Sequence, residues 1–356
     1  MSAICLMAQT VAFTPTTNPQ HIFSVASRSA SGLTSLNAIG ALAKKAKQAD
    51  LRKYAESGID DVVMEKYNII KEALQKDEIN IKESTPGPLQ QSLTKRKGTI
   101  TIIAEYKRKN DVVETGAISE LYDPEFLSPL FRDVGCSAVA VMADERMGGC
   151  TYDDIAYFVE EQRRAMNNVP GPISVINNDL IIDELQIARS ASMGVAATVI
   201  NIGLVGDEQC ELLLKASKAV DLEAIVTVNS QEEAQRAVDL GARMIMVVCL
   251  DEPEYKDEIV TGLDIPEGQQ VCYMANILTR KNKQLQEIED AWALRDKGFN
   301  CVWVGDALYK AGQDAHENPA TVIKAMRSKS SLKWASPKAR SGKGEGAREY
   351  LGDILM

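Results

Sequence analysis

The chain has 356 residues, 45% apolar and 25% charged, with a formal charge of −10. That balance fits a globular protein of one large domain plus appendages, and it argues against nucleic acid as a general partner. No apolar run approaches the roughly 20 residues of a membrane span, and seven scattered cysteines without CxxC spacing, with only His21 and His316 as histidines, argue against a disulfide framework, a zinc site or a Ser-His-Asp mechanism.

Residues 1–40 carry Arg28 as their only Lys or Arg and contain no acid; the first acidic residue is Asp50. They are rich in Ser and Thr, the composition of an organelle targeting presequence. The piece Thr10-Val11-Ala12-Phe13-Thr14-Pro15 resembles the cleavage signature of plastid presequences in algae with secondary plastids. The expectation is a plastid stromal protein; the alternative reading of these residues is a merely disordered terminus.

Residues 41–98 read as a helical extension. Val62, Val63, Tyr67, Ile69, Ile70 and Leu74 recur at helical spacing between Asp60 and Gln75. The run Ser84-Thr85-Pro86-Gly87-Pro88 then breaks the chain.

From residue 99 onward, short β-rich runs alternate with amphipathic ones. The predicted strands are 101–105, 137–142, 172–176, 196–201, 223–228, 243–248, 270–275 and 301–304. Helical patterns lie between them at 118–134, 153–166, 183–192, 207–219, 231–239, 252–260, 284–297 and 318–326. Gly135, Gly194, Gly241 and Gly298 each close a helix where a left-handed residue is wanted. Eight such units over 99–327 predict a (β/α)8 TIM barrel with an N-terminal helical extension. An open doubly wound sheet is the alternative, but the first strand lacks the glycine-rich turn that such a sheet offers a nucleotide.

The first strand, Thr101 to Lys109, begins apolar and ends in Glu105, Lys107, Arg108 and Lys109. Glu105 and Lys107 are two residues apart, so they share a face, which in a parallel barrel points into the mouth. A second reading makes them an ion pair that holds the strand end. Residues 328–356 form a basic tail: from Arg327 to Met356 there are seven Lys or Arg against three acids. Such a tail is either a solvated arm or a docking segment for a plastid protein partner.

Several pieces together resemble the indole-3-glycerol-phosphate synthase family. They are Pro88-Leu89-Gln90-Gln91-Ser92-Leu93, Ala104-Glu105-Tyr106-Lys107-Arg108, Ala143-Asp144-Glu145, Asp179-Leu180-Ile181-Ile182-Asp183, Gly241-Ala242-Arg243 and Val304-Gly305-Asp306-Ala307-Leu308. The resemblance spans about 40–327 and implies N-terminal helices capping the mouth. It implies ring closure of a carboxyphenylamino-deoxyribulose phosphate with loss of CO₂ and water, without metal or cofactor. Such chemistry needs a cation for the substrate carboxylate, an acid for the keto oxygen, a second carboxylate, and backbone amides for phosphate.

Carried over by position, the resemblance gives Glu105 and Lys107 the task of holding and polarising the substrate. The loop after them reads Asn110-Asp111-Val112 where the family has Ser-Pro-Ser. Met147 and Gly148 stand where an aromatic should stack on the substrate ring. The third-strand lysine that serves as general acid is Asn178, and the fifth-strand glutamate is Thr227. Val248 and Leu250 replace polar groups of the sixth strand. Ala275-Asn276-Ile277 stand for the seventh-strand Glu-Ser-Gly, so Asn276, Gly305 and Asp306 are the candidates for substrate and phosphate binding. An amide donates a hydrogen bond but cannot transfer a proton at neutral pH. The synthase activity is therefore expected to be weakened or lost, unless Asp144, Glu145 or Asp251 supplies a carboxylate. A non-catalytic binding module is the other expectation.

Overall fold

The computed structural model describes residues 30–77, 79–82, 85–94, 99–109, 123–249, 252–279, 286–312 and 319–328. Most of the expected presequence (1–29), the expected basic tail from 329 onward, residues 110–122, His21, His316, Cys5, Leu250 and Asp251 lie outside the described residues.

Eight parallel strands close into one barrel in chain order. They are β1 (Thr101–Tyr106), β2 (Ala138–Val141), β3 (Ser174–Asn177), β4 (Ala197–Asn201), β5 (Glu223–Val228), β6 (Met244–Val247), β7 (Cys272–Asn276) and β8 (Cys301–Val304). Each lies within two residues of its predicted bounds. Both faces of a barrel strand are covered, so the strands read as near-continuous apolar runs. The inner face carries Ile103, Ala140, Ile176, Val199, Ile225, Met246, Met274 and Trp303. The outer face packs under the helices through residues such as Ile102, Val139, Ile200, Val226, Ile245 and Val302.

Among the described residues, three helices precede the barrel: α1 (Ala30–Ser57), α2 (Asp61–Lys76) and α3 (Pro88–Leu93). Helix α3 plugs the barrel's lower end, because Leu89 and Leu93 join the inner cluster. The Glu223 carboxylate, at the start of β5, accepts from the backbone N–H groups of Leu89 and Gln90 at 2.6 and 3.0 Å. It thereby satisfies two donors that a helix N-terminus leaves open.

The outer ring consists of α4 (Pro124–Asp133), α5 (Tyr152–Arg164), α6 (Glu184–Met193), a short α7 (Ile202–Val205), α8 (Asp207–Ala219), α9 (Gln231–Asp239), α10 (Pro253–Val260), α11 (Gln286–Lys297) and α12 (Pro319–Arg327). Polar caps start several of them: Asp123 accepts from Glu125, Asp183 from Leu185 and Ser230 from Glu233, while Thr151 and Asp154 form a reciprocal capping box. Gly135, Gly194, Gly241 and Gly298 do adopt positive φ, from 79° to 102°. Just after α12, Arg295 of α11 donates to the Ser328 carbonyl at 2.8 Å. No described helix is long and apolar enough to cross a membrane.

Candidate active site at the barrel mouth

Alternation places one set of side chains at the upper, C-terminal end of the barrel: Glu105, Lys107, Asn178, Asn201, Thr227, Val248 and Asn276. All are buried. A buried carboxylate and ammonium are stable only with partners, and each has one. Asn178 donates its side-chain N–H to the Glu105 carboxylate at 2.7 Å. Lys107 forms an ion pair with Asp306, both side chains being fully buried. The ion pair of this seam is therefore Lys107 with Asp306, and the Asp306 carboxylate points at the cation. Burial works against the Lys107 ammonium, but the Asp306 and Glu105 carboxylates outweigh it and hold its pKa above the ordinary lysine value.

The other mouth amides are also engaged. Asn201 donates to the Thr227 hydroxyl at 2.7 Å and accepts from the Leu204 N–H at 2.8 Å. Asn276 accepts from Lys256 of α10, through its carbonyl at 2.5 Å and its side-chain oxygen at 2.8 Å. The register of β7 sets which residues of Ala275-Asn276-Ile277 face the barrel interior. Ala275 belongs to the outer cluster, while Cys272 and Met274 face inward. The predicted Asn276 continues that inward face at the mouth, while Ala275 does not line it.

Gly148, one of the two positions expected for a stacking aromatic, cannot carry a side chain. A Cβ there would lie 2.4 Å from the Met142 carbonyl oxygen. Its own carbonyl instead accepts from the N–H groups of Arg108 and Lys109 at 2.7 and 3.1 Å, which ties the β2 loop to the exit of β1. The neighbouring Met147 donates its N–H to Asp144.

Sequence reasoning missed the clamp that holds α1 to the mouth. Lys47, nearly fully buried, bridges Asp144 after β2 at 2.6 Å and Asp179 after β3 at 2.5 Å. Asp179 accepts in addition from the Tyr152 hydroxyl at 2.9 Å and the Gln186 amide at 3.1 Å. Asp50 of α1 pairs with Arg146. The Arg189 guanidinium lies over the rings of Tyr54 and Tyr152, at 4.2 and 3.7 Å from their centroids. Asp144, expected as a replacement acid, is thus committed to Lys47. Glu145 is exposed, and its carbonyl accepts from Lys109. Nothing local marks Lys47, because its partners lie far along the chain.

Two clefts of about 520 and 510 Å³ lie beside α5 and beneath the barrel, and neither is lined by Glu105, Lys107 or Asn178. No group of three or more His, Cys, Asp or Glu side chains suited to a metal ion occurs among the described residues.

The sequence profile for Indole-3-glycerol phosphate synthase matches residues 51–318. Similar proteins of that name include one from Carboxydothermus hydrogenoformans, 25% identical over 66% of this chain and 84% of its own length. One from Leptospira interrogans is 29% identical over 46% of this chain and 60% of its own length. Another, from Mycolicibacterium smegmatis, is 25% identical over 65% and 79%. With the closed parallel barrel and its helical extension, this match over most of the chain establishes that the protein belongs to the indole-3-glycerol phosphate synthase family.

Proposed function

We propose that this chain is a synthase-family barrel in which the ring-closing activity on carboxyphenylamino-deoxyribulose phosphate is strongly weakened or lost. The carrying observation is the 2.7 Å bond from Asn178 to Glu105. The resemblance calls for a proton donor at position 178, and an amide there holds Glu105 in place without supplying a proton. Thr227, at the position of the second carboxylate, bonds to Asn201. Lys107 can still attract a substrate carboxylate, though it already faces Asp306. Loss of a general acid typically lowers a rate by ~10²–10⁴-fold.

The test is direct. The purified chain is incubated with the substrate and indole fluorescence is followed. Turnover at least ~10²-fold below that of a family member with lysine at this position is expected. An equal rate overturns the reading.

A binding role is the second reading, favoured by the way the mouth groups satisfy one another: Asn201 with Thr227, and Lys256 with Asn276. In that reading the basic tail docks a plastid partner. Truncation after Ser328 spares the contact from Arg295 and should abolish that association while leaving the barrel folded. Plastid import rests on the composition of residues 1–40. Fusion of those residues to a fluorescent protein tests it, and a reporter that stays outside plastids removes the proposal.

A further inference from the structure

We propose that Asp306 sets which charge the barrel mouth accepts, acting as an internal carboxylate that occupies Lys107 and excludes strongly anionic ligands. The inference rests on the reading of the mouth as a weakened synthase site. Lys107 projects from β1 beside the Glu105 and Asp306 carboxylates, while Lys47 and Lys256, also buried at this end, are committed to Asp144 and Asp179 and to Asn276. Glu105 is held by Asn178. Lys107 is held by Asp306 with both side chains out of water. An anion entering here has to displace a buried counter-ion from its partner and leave that carboxylate exposed to its own charge, which is costly in a low-dielectric site.

A second observation lies at the same seam. The Trp303 indole N–H is buried without a hydrogen-bond acceptor, and neither the Asp306 oxygens nor the Lys107 ammonium makes a well-directed hydrogen bond beyond the ion contact. Trp303 lies opposite Ile103 in the β1–β8 ladder, two residues before Gly305. The unmet capacity around the ion pair itself is therefore mixed, donor from Lys107 and acceptor from Asp306. Uncharged groups with both functions, hydroxyls or carboxamides, match it. Take away the Asp306 carboxylate and the Lys107 ammonium is left beside a space the size of a carboxylate, with Glu105 still bound to Asn178. That is a site for a small anion.

The test reads anion binding rather than turnover, so it can fail without the synthase reading failing, and the reverse. Full-length protein and Asp306→Ala are melted in sodium formate and in sodium chloride at equal ionic strength. Wild type should melt alike in both. Asp306→Ala should melt about 3 °C or more higher in formate, because formate binds only the folded form beside Lys107. The double variant Lys107→Met/Asp306→Ala should lose that difference. Equal melting of Asp306→Ala in the two salts, or the same gain in wild type, overturns the proposal. If Asp306→Ala does not fold in either salt, Asp306→Asn keeps the side-chain volume. It should bind inorganic phosphate at least about tenfold more tightly than wild type, and no gain overturns the proposal equally.

Discussion

Asn178 holds Glu105 across the barrel mouth, its side-chain N–H 2.7 Å from the carboxylate oxygen, with both residues buried. The bond joins the third strand's end to the first's. It gives a carboxylate buried inside the barrel a directed hydrogen bond. Hydrogen bonds to charged groups are worth about 1.5–3 kcal/mol each. Asn178 is therefore a fitted part of this mouth, and its chemistry is holding rather than proton transfer.

Restoring a lysine tests that statement in both directions. In Asn178→Lys the new ammonium faces the Glu105 carboxylate, so it enters the barrel with a partner. Synthase turnover should rise by ~10²-fold over the starting protein, followed by indole fluorescence. Asn178→Ala deletes the donor and should lower stability by about 1.5–3 kcal/mol in urea unfolding. A lysine variant that folds and stays at the starting rate means that more than the proton donor is missing, with Thr227 the next position to examine.

The eight strands were legible because burial on both faces writes each as an apolar run, and because Gly135, Gly194, Gly241 and Gly298 punctuate the helices. Glu105 and Lys107 were legible as charges at the end of such a run. Three features were not. Lys47 looks like one lysine among several on a surface helix, and only the fold brings Asp144 and Asp179 to it. The inward face of β7 depends on where its ladder starts, so only the register shows that Met274 faces inward and Ala275 outward. Gly148 is demanded by a carbonyl six residues earlier, a steric fact that no periodicity carries.

The lower plug should be sensitive at Glu223. Its carboxylate accepts two backbone N–H groups at the start of α3. Glu223→Ala leaves both donors without that acceptor, at a cost of about 1–2 kcal/mol in urea unfolding. Gly87→Ala attacks the same contact from the other side, because a Cβ there would lie 2.3 Å from the Glu223 carboxyl carbon. Since both variants act on one contact, the double variant should cost less than the sum of the single ones. Additive losses mean that Gly87 and Glu223 contribute separately.

Lys47 gives the remaining prediction, and its pH dependence fixes the sign. Burial opposes its charge, yet Asp179 and Asp144 outweigh burial and raise its pKa above the ordinary 10.5. A raised folded-state pKa contributes stability that is complete below pH 10.5 and is lost as pH climbs through the folded value. On the acid side the two partners oppose one another. Burial is outweighed at Asp144, where Lys47 holds the carboxyl below 3.8, so its contribution fades as pH falls below that value. Burial prevails at Asp179 and raises its carboxyl, so protonation there favours the folded form. The alkaline limb is therefore the cleaner signal. Lys47→Met leaves two buried carboxylates without their cation and should cost about 3–5 kcal/mol at neutral pH. Amides of residues 40–57 should exchange faster, as α1 loses its tie to the loops after β2 and β3. The fall in stability above pH 10.5 should be shallower in Lys47→Met than in the starting protein, with the other lysines unchanged. Identical alkaline limbs would mean that Lys47 does not carry its charge in the folded clamp, and the bridge to Asp144 and Asp179 would then be a hydrogen-bond contact without an ionic part.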